Sequence, residues 1–171
     1  MEDYFEIVRQ VLISMFFKEA QIGRSLREDN PEMKKQVFNS CLELANKADN
    51  GTLKNEDIRN KIVEISKNAK CSIGQTQKII NVYLKYYCIL TKKSPEIIKE
   101  LDCPLDSQIM SKYQTSGLWK YSLRELNDVG RYVAWQKHLE SMGNGVRLNP
   151  DIKTYDTQRI KLFFEPKSGD F

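Results

Sequence analysis

The sequence predicts an all-α fold, and three observations carry that prediction. Apolar residues recur at helical spacing, as in Ile58, Ile62, Ile65 and Ala69. Helix-start signals recur with them: Asn30-Pro31-Glu32 and Ser94-Pro95-Glu96 pair a capping side chain with proline, and Ser122 and Glu125 fit a capping box. No internal repeat or low-complexity segment divides the 171 residues, so positions 1–171 read as a single helical domain.

The first predicted helix covers residues 2–22. Phe5, Val8, Leu12, Met15 and Phe16 fall at helical spacing, Val11 and Phe17 widen the apolar face, and Gly23 ends it. Residues 23–29 are polar and loop-like. The second helix starts at Pro31, buries Val37, Cys41, Leu44 and Ala45, and stops at Asp49-Asn50-Gly51. The third covers residues 55–69, with Lys61, Lys67 and Lys70 off its apolar stripe. A hairpin at residues 70–75 follows, where Gly74 supplies the left-handed backbone of a tight turn. The next helix, about 75–90, opens with free N–H groups that favour a phosphate. Ile79, Val82, Tyr83, Tyr86 and Leu90 form its core face, and its many large residues predict a central, deeply packed position.

A loop at residues 91–96 leads into a short helix ending at Leu101. Cys103-Pro104-Leu105-Asp106 is a turn, with Asp106 as the N-cap of a short helix over residues 107–113. After a loop at residues 114–117, the Ser122–Glu125 box opens a helix to about Met142. Leu126, Val129 and Val133 face inward, with Gln136 or Leu139 as a further inward position. Gly143-Asn144-Gly145 terminates it. A mixed tail, about 149–171, starts at Asn149-Pro150. Residues 159–164 fit either a short strand or a helical turn, and residues 167–171 fray.

Composition narrows the class. Apolar content of 40% and charged content of 29% are ordinary for a globular protein. The longest apolar run, residues 11–17, is far short of a membrane span, and the acidic start MEDYFE lacks the basic opening of a signal peptide. A cytoplasmic monomer without a membrane partner is the expectation. Cys41, Cys71, Cys88 and Cys103 form no C-x-x-C pair, and His138 is the only histidine. That pattern argues against zinc and iron–sulfur sites and for reduced, mostly buried thiols; no metal and no cofactor are expected. Net charge is +4, yet residues 61–99 alone hold eight lysines and two glutamates. A basic segment on a near-neutral body suggests a polyanion-binding face, or more plainly a solvated helix surface.

The chemistry concentrates in residues 70–110. Lys78 falls in the first turn of a helix, where the positive dipole end disfavours an ammonium. Lys85 follows two turns later on nearly the same face. A deprotonated amine can attack the anomeric carbon of a nucleotide and form a Schiff base with the sugar. Asp106 is placed to steady the cation that develops on that sugar. Ile73, Gly74, Gln75 and Thr76 would meet the phosphate backbone through their N–H groups. Each residue also has a plainer role: a solvated lysine, an N-cap, a turn glycine.

The run G-x-x-x-K-x(6)-K (Gly74, Lys78, Lys85), followed a little under thirty residues past Lys78 by Pro104-Leu105-Asp106, resembles helix-hairpin-helix DNA glycosylases. It looks most like the archaeal 8-oxoguanine DNA glycosylase branch. The resemblance spans about forty residues and implies a helix-hairpin-helix at about 56–90 within a glycosylase-like helical domain. It implies Lys78 as the Schiff-base nucleophile, Asp106 as the catalytic aspartate, and Lys85 as a residue that holds the base or tunes Lys78. It further implies excision of a damaged or modified base from DNA, abasic-site lyase activity, and a base taken out of the stack. The hairpin has one glycine where many relatives have two, and no tryptophan precedes Trp119. Phe16, Phe17, Trp119, Tyr132 and Trp135 are the aromatics that could stack on a base in its place. The alternatives are a non-catalytic helix-hairpin-helix module that only binds DNA, and a helical protein–protein module.

Overall fold

α1 (Pro31–Asp49) opens on a proline, tolerated in the first turn because that N–H has no helical partner. The computed structural model describes residues 31–156, together with Ile7 and Val11. Both of those residues are helical and at least half exposed. The rest of the predicted first helix, the Asn30 cap, residues 159–164 and the extreme tail lie outside the described residues. α1 buries Val37, Cys41, Leu44 and Ala45, and Gly51, at φ +69°, ends the turn behind it.

α2 (Asn55–Asn68) buries Ile58, Ile62 and Ile65 along one face. α3 (Ile73–Leu90) is the centre of the molecule and packs against α1, α2, α4 (Pro95–Glu100) and α6 (Val129–Met142). It is buried almost all round, through Ile79, Ile80, Tyr83, Leu84, Tyr87 and Cys88. Val82 and Tyr86, expected in its core face, are only partly buried, and Leu90 is exposed. A helix enclosed on several sides does not have the single stripe that the periodicity assumed. α5 (Ser107–Tyr113), α7 (Asn149–Asp151) and a π-helical turn (Ile152–Asp156) complete the order. The described residues are thus mostly helical, and they include no strand beyond the isolated bridge between Thr115 and Leu118. None of their helices is long and apolar enough to cross a membrane.

The hairpin differs from the one the spacing predicts. The left-handed residue is Lys70, at φ +51°, and Gly74 lies inside α3. α3 starts two residues earlier than predicted because Ser72 and Gln75 form a capping box, Ser72 Oγ accepting from Gln75 N at 3.0 Å. Gly74 is needed for close approach: a Cβ there would lie 2.3 Å from the Leu123 carbonyl oxygen. Gly74→Ala is therefore expected to destabilise the fold by about 1–3 kcal/mol in urea unfolding, the usual cost of overpacking against backbone. A change under a few tenths would show that the Leu123 segment moves aside freely.

α6 starts later than the spacing predicts. Ser122 and Glu125 do cap each other, at 3.0 and 3.3 Å, but the chain makes one turn there and no helix follows. α6 begins at Val129, with Asp128 accepting from Arg131 N at 2.9 Å. Its buried face is Tyr132, Trp135, Gln136 and Leu139; Val129 is exposed and Val133 only partly buried. A face phased from Leu126 misses that buried face, because Leu126 is buried but lies outside the helix.

Cys41, Cys88 and Cys103 are buried free thiols and Cys71 is partly buried. Burial pushes all four upward, Cys88 to about 12, so none carries thiolate character at neutral pH.

Candidate functional site

Asp106 is placed by two buried glutamines. Gln77 of α3 donates to the Leu105 carbonyl at 2.8 Å and accepts from Leu105 N at 3.0 Å. Gln136 of α6 does the same to Cys103, both bonds at 2.8 Å. The turn at residues 103–105 is thereby clamped between α3 and α6, and its next residue must emerge beside the first turns of α3. Each amide satisfies a backbone donor and acceptor that burial would otherwise leave unpaired.

The carboxylate that emerges is held at both oxygens. Asp106 Oδ1 accepts from Gln108 N at 2.9 Å and Ile109 N at 3.0 Å, so the predicted N-cap is present. Oδ2 accepts a 2.5 Å hydrogen bond from the Tyr155 hydroxyl and lies 3.6 Å from Lys78 Nζ. That last separation suits an ion pair and exceeds hydrogen-bond length. The two side chains are 25% and 17% exposed, a partly open setting. Burial, and then the Asp106 bond, push the Tyr155 phenol far up, so it stays a donor.

Lys85 has a different setting. Its Nζ lies 2.6 Å from Asp151 Oδ2, both side chains almost wholly buried, and 4.3 Å from the Tyr86 ring centroid. Lys85 and Asp106, the partner of Lys78, thus both meet one short segment, α7 and the π-helical turn behind it. That segment supplies Asp151 to the first and Tyr155 to the second.

The helix start that was expected to offer free N–H groups is occupied. Gly74 N donates to the Leu126 carbonyl at 2.8 Å, Gln75 N to Ser72 Oγ, and Thr76 N to the Ser72 carbonyl at 3.1 Å. Ser72 Oγ donates to the Leu123 carbonyl. Ile73 is buried with them. Residues 122–126 therefore lie across the hairpin, and a phosphate finds those three amides already used. The basic segment is also partly neutralised: Lys61 pairs with Glu43 and Glu64, Lys93 with Asp49, and Lys78 and Lys85 as above.

Tyr155 and Asp151 have no counterpart in the sequence reading. Asn149-Pro150 marks a chain reversal, but the residues after it have no period, and a partner across the fold leaves no local trace. Of the aromatics considered for stacking, Tyr132 and Trp135 are core residues, whereas Trp119 is 64% exposed. Phe16 and Phe17 lie outside the described residues. No family model, curated protein or solved structure matches the chain.

Proposed function

We propose that the chain is a helix-hairpin-helix DNA glycosylase that removes a damaged or modified base and then cleaves at the abasic site. The observation that carries this reading is the 3.6 Å approach of Lys78 Nζ to Asp106 Oδ2 in a partly open setting. In the proposed reaction Lys78 first gives its proton to water, and the neutral amine attacks C1′ of the extruded nucleotide. The bond from C1′ to the base breaks, and its electron pair leaves with the base, which takes up a proton. Asp106 steadies the positive charge on the sugar during that step. Ring opening then yields an iminium at Lys78, and loss of the C2′ proton expels the 3′ phosphate. Water finally hydrolyses the iminium. Lys85, two turns further along α3 and almost wholly buried in its pair with Asp151, is assigned the holding of the base or the tuning of Lys78.

Borohydride trapping tests the reading. Incubated with oligonucleotides carrying an abasic site, 8-oxoguanine or modified cytosines, the protein is expected to form a covalent adduct that Lys78→Gln loses completely. Salt-sensitive binding without any adduct or base release would instead favour a module that only binds DNA. Absence of DNA affinity at any salt would favour a protein–protein module.

A further inference from the structure

We infer that the strap joining α5 to α6, residues 114–128, is a DNA contact in which Trp119 stacks on an unpaired base while Lys120 and Arg124 meet phosphates. The inference rests on the reading above that the chain acts on DNA. Three of the four amides expected to bind phosphate, those of Gly74, Gln75 and Thr76, are already used within the protein. The strap has taken the Gly74 amide and the Ser72 hydroxyl through Leu126 and Leu123. A polynucleotide approaching this end of α3 therefore meets the strap that covers it.

The strap has the composition of a nucleic-acid surface. Trp119 is exposed on it, and an indole face open to water is a platform for any base. From residue 112 to 131 the chain carries Lys112, Lys120, Arg124 and Arg131, all exposed, against Glu125 and Asp128. Both carboxylates are turned back onto the chain, Glu125 onto Ser122 N and Asp128 onto Arg131 N. Arg131 lies 5.2 Å over the Tyr121 ring, and Lys70 is exposed in the hairpin beneath. Cations interleaved with aromatics suit a strand whose backbone is charged and whose bases are unstacked.

The position of the strap matches that role. It leaves α5, whose N-cap is Asp106, and lands on Gly74, one turn before Lys78. Its far end is thus fixed one turn before Lys78 on α3. Extruding one base leaves its former partner unpaired and its neighbours unstacked. An exposed indole on the strap that covers the start of α3 can recover part of that lost stacking.

The chain has two tryptophans, and Trp135 is buried, so tryptophan emission reports changes at Trp119. The full chain is titrated with single-stranded and duplex oligonucleotides containing a tetrahydrofuran abasic analogue, beside Trp119→Phe, Trp119→Ala and the pair Lys120→Ala/Arg124→Ala. Wild-type emission is expected to be quenched and shielded from acrylamide on binding, with no such change in Trp119→Phe. Trp119→Ala is expected to bind about fivefold to a hundredfold more weakly, the range for losing one stacked base. The double charge variant is expected to lower the salt slope by about two. Unchanged emission and a Trp119→Ala affinity within about twofold of wild type would overturn the inference while Lys78-dependent trapping upholds the enzyme reading. Absence of salt-sensitive binding by the wild type would overturn both.

Discussion

Asp102→Ala is expected to lower the unfolding free energy by about 3–5 kcal/mol, the usual cost of removing one partner from a buried ion pair. That is a large share of the roughly 5–15 kcal/mol that holds a domain folded. Asp102 has no exposed surface. Arg59 grips it with two bonds of 3.0 Å, and Arg147 Nε lies 2.9 Å from Oδ1. Asn55 and the Tyr132 hydroxyl donate to it at 2.7 and 2.8 Å. Alanine would leave two guanidinium groups facing one another across a void, with the Arg147 side chain only 9% exposed. Arg59, at 23%, can turn partly toward water, which limits the loss. Urea unfolding followed by circular dichroism checks this, and a loss below about 1 kcal/mol would mean that the remaining bonds of Arg147 suffice. Those bonds go to the Leu101 and Lys99 carbonyls and to Glu140.

Asp106→Asn is expected to do the opposite, sparing the fold and removing the chemistry. Asparagine caps helices about as well as aspartate. Its amide oxygen can take over the two N–H bonds that Asp106 Oδ1 now accepts from Gln108 and Ile109. The NH2 group must then face Tyr155 and Lys78, where Oδ2 stands in the wild type. That swap removes the negative charge from the atom to which the proposed reaction assigns the steadying of the sugar cation. Base excision is expected to fall by about a hundredfold or more, within the usual range for losing an acid–base or electrostatic group. Trapping on a preformed abasic site should fall far less, because no base has to leave. Single-turnover excision beside a thermal melt separates the two effects. A variant that excises normally would reduce Asp106 to a cap.

What was legible in the sequence follows from the range of the interactions. α5 was predicted at its observed limits because both its cap and its apolar residues are local. The approach of Lys78 to Asp106 was legible only through the family-like spacing, since no period links a helix to a turn so far along the chain. The clamp of Gln77 and Gln136 on the turn at residues 103–105 was invisible for the same reason. Two buried amides look like polar residues on a helix until their partners are known. Gly74 shows a subtler limit: glycine was expected for its backbone freedom, and the position demands its lack of a side chain. Ser122 and Glu125 show another, because a capping box specifies one turn of chain and not the helix to come.

The pairing of Lys85 with Asp151 bears on how the protein is made. Ribosomes deliver α3 well before α7, so a growing chain holds Lys85 with its neutralising carboxylate still unsynthesised. Burying that ammonium alone is strongly unfavourable, and the nascent helix does better to leave it hydrated. The same late segment brings Tyr155 to Asp106. Final closure of the core and completion of the candidate centre therefore wait on the same few residues, and an interrupted or clipped chain lacks both together.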